Sequence, residues 1–130
     1  MREGPTVDPS EPAVEFRIPA DPMYVRVARL VCGDMADRAG FSVDELDDVR
    51  LAVDELCAIL IGIDGGPLEL RMQVQKGELV IEGKTAGGRG PAVPTELSEM
   101  LLRALVDVCT FGADEHETSV VMRKQARDIP

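Results

Sequence analysis

The sequence contains no long apolar segment. It has no run of about 18 consecutive apolar residues, the length that a transmembrane helix requires. The N-terminal stretch MREGPTVDPSEP is polar and rich in proline, and it lacks the apolar core of a secretory signal peptide. We therefore expect a cytoplasmic protein that makes no membrane contact.

Cysteine and histidine are scarce. Cys32, Cys57 and Cys109 lie far apart and form no C-x-x-C pair, which argues against a disulfide framework or a zinc site. Each stands beside apolar residues in a predicted helix, so we expect buried, reduced thiols. The single histidine, His116, lies between acidic neighbours in a polar segment, and we expect an exposed loop residue rather than a catalytic one.

Basic residues are outnumbered by acidic ones. The chain has 14 Lys and Arg against 24 Asp and Glu, which gives a net charge of -10. Such a field repels phosphate backbones, so we expect no direct binding of nucleic acid. The field would steer a basic protein partner, although an acidic surface also simply keeps a domain soluble. Charge alone leaves both interpretations open.

Length and composition predict one domain. A chain of 130 residues with 45% apolar residues suffices for a single hydrophobic core. We place this domain at residues 13–125, between a flexible N-terminal tail at residues 1–12 and a C-terminal tail at residues 126–130.

The strongest local pattern is a predicted helix at residues 42–61. Ser42 and Glu45 have the spacing of a capping box, in which two otherwise unpaired backbone N–H groups gain acceptors. Apolar residues then recur at helical spacing and predict a stripe that faces the core. The stripe consists of Leu46, Val49, Val53, Leu56 and Leu60.

Two further helices are predicted on either side of it. The first, at residues 22–39, has a wide apolar arc, and a polar stripe lies opposite. The arc contains Met23, Tyr24, Val27, Leu30, Val31 and Met35, and the polar stripe contains Arg26, Arg29, Gly33 and Asp37. The third helix, at residues 95–109, has a predicted core stripe of Leu97, Leu101, Ala104, Leu105 and Val108.

Alternating polar and apolar residues predict the strands. Residues 14–18 form the first, residues 68–75 and 78–84 form a hairpin around a Lys76-Gly77 turn, and residues 118–124 form the last. Residues 110–117 are expected to be a connecting loop. This order predicts an α+β two-layer sandwich, with about three helices on one face of a mixed, mostly antiparallel sheet.

The segment DDVRLAVDELCAILI resembles the motif helix of the anti-sigma-factor serine kinases, small members of the histidine-kinase-like (GHKL) ATPases. The family motif is Ala-Val-x-Glu-x-x-x-Asn, and Ala52, Val53 and Glu55 match it. The resemblance implies the GHKL, Bergerat-like fold over nearly the whole chain. It also implies that Glu55 occupies the place of the general base, while Ile59 occupies the place of the magnesium ligand.

Other parts of the family's nucleotide site are missing. The family has Asp-x-Gly-x-Gly after a strand, whereas this chain has Thr85 followed by Ala-Gly-Gly-Arg-Gly, with Gly87 and Gly88 but no Asp. The second glycine box is replaced by residues 94–99, PTELSE, which add negative charge where a triphosphate would need free N–H groups. Ile59 offers no oxygen to a hard cation. We therefore expect a degenerate pocket with no resident cofactor, and with ATP and magnesium only if this pocket functions.

The resemblance also implies partners. Members of the family bind sigma factors, commonly as dimers, and many phosphorylate an antagonist protein that releases them. An Arg in the first helix, in a pattern such as Phe-Ala-Arg-Val, contacts both partners in some members. Tyr24-Val25-Arg26-Val27 resembles this pattern and makes Arg26 the candidate partner-binding residue, with a solvated arginine as the alternative.

Three functions follow from these observations. The first is a non-catalytic anti-sigma-type regulator that binds a sigma factor, its antagonist protein, or both. The second is an active ATP-dependent serine kinase that phosphorylates an anti-sigma antagonist through a divergent pocket. The third is a scaffold that binds the antagonist and not the sigma factor.

Overall fold

The structure, a computed structural model, describes residues 12–87 and 95–127, and all structural statements below concern those residues. In chain order the elements are β1 (Val14–Ile18), a 3-10 turn (Pro22–Tyr24), α1 (Val25–Ala39), α2 (Val43–Ile61), β2 (Leu68–Gln75), β3 (Glu78–Ala86), α3 (Glu96–Leu105), β4 (Val108–Ala113) and β5 (Glu117–Gln125). The strand order is β1-β2-β3-β5-β4, and every neighbouring pair is antiparallel. The helices cover one face of this sheet, which confirms the predicted α+β sandwich.

None of these helices is long and apolar enough to cross a membrane. The predicted tails at residues 1–12 and 126–130 lie almost entirely outside the described residues, so the domain limits stay a prediction.

Helix α2 forms as its sequence predicts. Ser42 Oγ accepts a hydrogen bond from Glu45 N at 3.2 Å, and Glu45 Oε1 accepts one from Ser42 N at 2.8 Å, so the capping box is complete. The buried stripe of the helix runs along its whole length against the sheet. It consists of Val49, Ala52, Val53, Leu56, Cys57 and Leu60.

The β2–β3 hairpin is also confirmed. Gln75 pairs with Glu78 across a tight turn, in which Lys76 and Gly77 have φ values of 54° and 75°. Two consecutive positive φ values match the right-handed twist of the paired strands. Leu79 and Ile81 face the helices, and Val80 on the other face is also buried, at 1% exposure.

Helix α1 begins later than predicted. Asp21 Oδ1 accepts a hydrogen bond from Met23 N at 2.9 Å, but the turn that it caps is a 3-10 turn, and regular α-helix starts only at Val25. Gly40, with φ 87°, ends the helix in the left-handed conformation that glycine adopts without strain.

The prediction for residues 95–117 was wrong in two respects. Helix α3 ends at Leu105, and the following residues, including Cys109, form edge strand β4 instead of helix and loop. Pairing with β5 explains this, because Asp107 N donates to Arg123 O at 2.9 Å and Asp107 Oδ2 accepts from Gln125 N at 2.7 Å. These hydrogen bonds to backbone groups of β5 end the helix and begin the pairing of β4 with β5.

The predicted core stripe of α3 also fails. Leu105 is buried, but Leu97 is 74% exposed and Leu101 38%, and the residue that packs fully in the core is Leu102. Lys124 from β5 is buried beside the end of this helix, where its Nζ donates to Leu105 O at 2.8 Å. The cation thereby satisfies a carbonyl that the shortened helix leaves without a partner.

Glu45 joins the start of α2 to the end of the sheet. Besides its capping bond, its Oε2 accepts a hydrogen bond from Arg127 N at 2.8 Å, just after β5. Burial raises the pKa of this carboxyl, but the hydrogen bonds from Ser42 and Arg127 outweigh it, and the net pKa lies below its ordinary value. One carboxylate therefore fixes two distant parts of the chain.

This pKa shift predicts how stability depends on pH. Because the folded-state pKa is depressed, the stabilisation by Glu45 is fully present above the unfolded-state value of 4.5 and is lost as pH falls through the lower, folded value. We expect Glu45→Gln to lower the free energy of unfolding by about 1 kcal/mol at neutral pH, with the difference shrinking below that value. Urea unfolding of both proteins across acidic pH measures this. A difference that is independent of pH would contradict the assignment.

Candidate functional site

The family's pocket position lies between the second half of α2, the end of β3 and the start of α3. Glu55 projects from α2, and Ser98 in the first turn of α3 donates its hydroxyl to Glu55 Oε2 at 2.6 Å. This part-buried bond connects residues that are 43 positions apart. A hydroxyl of the chain itself therefore donates a hydrogen bond to the carboxylate that stands at the family's general-base position.

The contact belongs to a short chain of hydroxyls. Thr95 is the N-cap of α3, and its Oγ1 accepts a hydrogen bond from Ser98 N at 3.0 Å. The Thr95 hydroxyl lies 3.0 Å from Ser98 Oγ and donates to it, while Ser98 donates onward to Glu55. The helix cap therefore orients the serine toward the carboxylate, a role for Ser98 that sequence reasoning did not identify. The T-x-x-S spacing was the available signal.

The residues present do not fit a magnesium ion. Ile59 is partly buried and packs against the core, so the place of the family's metal ligand carries an apolar side chain. Within residues 12–87 and 95–127, no cluster of three or more His, Cys, Asp or Glu side chains could hold a metal. The Glu55 carboxylate already accepts a hydrogen bond from Ser98. Magnesium at a nucleotide site needs at least one or two protein oxygens besides phosphates and waters, and Ile59 supplies none at the ligand position.

The predicted nucleotide-loop residues have structural roles where they are described. Thr85 is 1% exposed, and its hydroxyl donates to Gly66 O at 2.8 Å, while Gly66 N donates to Ala86 O at 2.9 Å. Gly87 has φ 72°, and its N–H donates to His116 O at 2.8 Å. Gly88 lies outside the described residues. The end of β3 is thus bonded to its neighbouring loops through these groups.

Negative charge surrounds the pocket. Glu96 and Glu99 lie in the first turn of α3, where Glu99 pairs with Arg103 at 3.0 Å. Asp54 lies next to Glu55, and its ion pair with Arg29 on α1 measures 3.0 Å. Burial raises the pKa of the Asp54 carboxyl, the Arg29 guanidinium opposes this shift, and the neighbouring Glu55 adds to it. These carboxylates disfavour a polyanionic ligand.

Arg26 lies at a different place, on the exposed side of α1. Within the described residues its guanidinium has no hydrogen bond or ion pair, whereas Arg29 is held by Asp54. Part of the predicted apolar arc faces outward, because Met23 is 79% exposed and Leu30 68%, one turn on either side of Arg26. The buried side contains small residues instead. They are Ala28, Cys32, Ala36 and Ala39, together with Met35.

The cysteines are buried thiols, as expected. Burial raises the pKa of Cys32 and Cys57 to about 12 and that of Cys109 to about 11. Protonated, buried thiols are poor nucleophiles, so the cysteines belong to the core and not to the site.

Comparison with known proteins identifies the class. Residues 18–124 match the family model of the histidine kinase-like ATPase domain. The serine-protein kinase RsbW of Bacillus pumilus (strain SAFR-032) is 34% identical over 82 residues, which cover 58% of this chain and 51% of that protein. RsbW of Bacillus velezensis is 41% identical over 44 residues, which cover 34% of this chain and 28% of that protein. The chain thus spans about half or less of the length of these curated relatives.

The fold agrees with this match. The crystal structure of the RsbU and RsbW domains of Rv1364c from Mycobacterium tuberculosis aligns with 92% of this chain and 35% of that chain, with a TM-score of 0.70 and 13% identity. The chain belongs to the histidine kinase-like ATPase family. Its curated relatives are serine-protein kinases named RsbW, which confirms the resemblance to the anti-sigma kinases that the α2 motif indicated.

The contact between Ser98 and Glu55 can be tested directly. Ser98→Ala removes the donor and leaves a part-buried carboxylate, so we expect a loss of about 1 kcal/mol in unfolding free energy and faster hydrogen exchange in α3. Arg103→Ala, which breaks the exposed pair with Glu99 on the same helix, serves as the control and should cost less. Equal, small effects of the two changes would show that the contact does not hold α3 in place.

Proposed function

We propose that the chain is an anti-sigma-type regulator that binds a sigma factor, its antagonist protein, or both, and that its nucleotide site is degenerate. The observation that carries the binding role is the exposed side of α1. There Arg26, which has no hydrogen bond or ion pair to another described residue, lies among Met23, Val27 and Leu30, which are 79%, 41% and 68% exposed. A charged anchor within exposed apolar side chains has the composition of an interface centre. The proposed location of this regulator is the cytoplasm.

The absence of phosphoryl transfer is the second part of the proposal. Transfer requires a metal to neutralise the phosphates, donors to cradle them and a base for the attacking hydroxyl. Ile59 stands in place of the metal ligand, and acidic residues lie in the first turn of α3. The carboxylate of Glu55 already accepts a hydrogen bond from Ser98. Each change affects a different requirement, so the restoration of one would leave the others unmet.

The active-kinase alternative has one observation in its favour. Glu55 accepts a hydrogen bond from a serine hydroxyl at 2.6 Å, the contact that a general base makes with an attacking hydroxyl. Neither a metal ligand nor a phosphate cradle accompanies it in the described residues. A structural contact that holds α3 against α2 would have the same geometry. We favour the binding role for that reason.

Nucleotide binding provides the first test. We expect calorimetric titration with ATP and magnesium to give no saturable heat, because the described residues offer no metal cluster and place acidic side chains at the start of α3. Ile59→Asn supplies one oxygen ligand, but it should not restore transfer of phosphate to a serine of an antagonist protein, since the acidic α3 start remains. Micromolar binding by the unmodified chain, or phosphorylation of an antagonist, would favour the kinase alternative.

Partner binding provides the second test. Sigma factors and antagonist proteins captured from a cell extract would be purified, and each would be titrated separately with the chain. Binding of the antagonist alone would identify the scaffold function. We expect Arg26→Ala to weaken binding by about 2 kcal/mol without a change in monomer stability, and Arg26→Lys to restore only part of it. Arg38→Ala on the same helix breaks an exposed pair with Asp34 and is the control. If Arg26→Ala and Arg38→Ala weakened binding equally, Arg26 would not be an interface residue.

A further inference from the structure

The strand order places β4 at one margin of the sheet. Within the described residues, β4 pairs with β5 alone, along its whole length from Val108 to Ala113. A strand in this position bonds to its neighbour through alternate backbone groups, and the N–H and C=O groups between them point away from the sheet. We call this outward side of the β4 backbone the β4 edge. It has the hydrogen-bonding groups that a further strand would need.

The sequence of β4 lacks the features that prevent strand pairing. The opposite edge strand, β1, carries Glu15 and Arg17 within five residues, whereas the six residues of β4, VCTFGA, include no charged residue and no proline. Charged side chains and proline commonly protect an edge strand against pairing with another chain. Valine, threonine and phenylalanine also favour extended structure. The β4 edge is therefore open to pairing in a way that the edge at β1 is not.

Side chains on both faces of β4 offer contact to a further strand. Cys109 is buried and Phe111 is partly buried against the core, both on the side of the helices. Val108 and Thr110 lie on the opposite face, where Val108 is 39% exposed. The Cβ atoms of directly opposed residues in neighbouring strands lie about 4.5–5.5 Å apart, so an added strand would cover Val108 and the accessible part of Phe111. Such a strand needs β-branched or other apolar residues at the matching positions.

Acidic residues follow β4 directly. Asp114 and Glu115 are exposed, and Glu117 begins β5 beside them. Asp114 Oδ1 accepts hydrogen bonds from His116 N at 2.7 Å and from Glu117 N at 2.9 Å, and these bonds lower the pKa of its carboxyl. The connection between β4 and β5 therefore stays negatively charged at neutral pH. We call Asp114, Glu115 and Glu117 the acidic turn.

The charge at the other end of β4 is balanced. Asp107, which precedes the strand, lies 3.6 Å from Arg127 Nη2 and accepts a hydrogen bond from Gln125 N. The unbalanced negative charge thus lies at the C-terminal end of β4. In an antiparallel arrangement, which every pair in this sheet has, that end faces the beginning of the added strand. Charge complementarity therefore requires basic residues just before the β-forming run of the partner.

We propose that the β4 edge binds an extended segment of a partner protein, which adds a sixth, antiparallel strand to the sheet and places basic residues against the acidic turn. In this mode of binding, backbone hydrogen bonds supply affinity, and the side-chain pattern with its basic residues supplies specificity. The surface belongs to β4 and not to α1, so the proposal goes beyond the proposed function and does not depend on it.

A synthetic peptide tests the proposal with the purified chain. It has two lysines followed by alternating valine and threonine over six residues, the length of β4. We expect saturable one-to-one binding in a titration, and slower hydrogen exchange at alternate amides of β4 but not of β1. The matched control peptide has the same composition with the lysines last. It should bind about fivefold more weakly, since its charges lie away from the acidic turn.

Backbone methylation distinguishes strand addition from simple apolar contact. In an added strand, only alternate N–H groups of the peptide can donate to β4. Two peptides would therefore be methylated, one at each alternate set of backbone nitrogens in the β-forming run. Methylation of one set should weaken binding on the order of a hundredfold, because about three hydrogen bonds are lost, and methylation of the other set should leave binding nearly unchanged. Equal binding by the two peptides would overturn the proposal.

Variants of the chain locate the site. Thr110→Lys places a positive charge on β4 and should weaken binding about tenfold, and Glu115→Gln, which removes one charge of the acidic turn, should weaken it about threefold. Glu69→Gln on β2 is the control and should have no effect. Circular dichroism checks folding, and if Thr110→Lys does not fold, Glu115→Gln and the two methylated peptides decide. Unchanged binding by the folded variants, protection from exchange outside β4, or self-association of the unmodified chain through β4 would each contradict strand addition by a partner.

Discussion

The close approach of α2 to the centre of the sheet is the constraint on which the remaining structure depends. A methyl carbon added at Gly83 of β3 would lie 2.6 Å from Leu56 Cδ2 and 3.0 Å from Leu60 Cδ1, well inside contact distance. A larger residue at this position would force these leucine side chains to move, so glycine lets α2 pack its leucines directly on the strand. Because Glu55 and Ile59 adjoin these leucines on the same helix, their positions relative to α3 follow from it.

The same helix serves both the fold and the candidate site. Its buried side supplies the core, and its partly exposed side holds two adjacent carboxylates, one paired with Arg29 of α1 and the other with Ser98 of α3. Each polar group thereby connects α2 to a neighbouring helix. These two contacts join α1, α2 and α3 at the place where the family motif has its glutamate.

Local patterns predicted the elements whose partners are close in sequence. Helix α2 and the β2–β3 hairpin form as expected, because capping, periodicity and turn chemistry all favour the same structure. The core stripe of α3 could not be predicted, since Leu97 and Leu101 repeat at helical spacing yet face outward. Its end could not be predicted either, because the residues that follow pair with β5, which comes later in the sequence. Likewise, the contacts of Glu55 with Ser98 and of Glu45 with Arg127 join residues 43 and 82 positions apart. The Thr95–Ser98 spacing signals the helix cap, but no local pattern indicates which distant group either carboxylate meets.

The position of β5 within the sheet has a consequence for how the chain folds during synthesis. This strand lies between β3 and β4, and it pairs with both. Until its residues emerge from the ribosome, β3 has an unpaired edge and β4 has no neighbour. Open strand edges promote association between nascent chains, and long-range pairing is slow. The sheet can therefore be completed only after β5 has been synthesised, when its pairing covers the edge of β3 and gives β4 a neighbour.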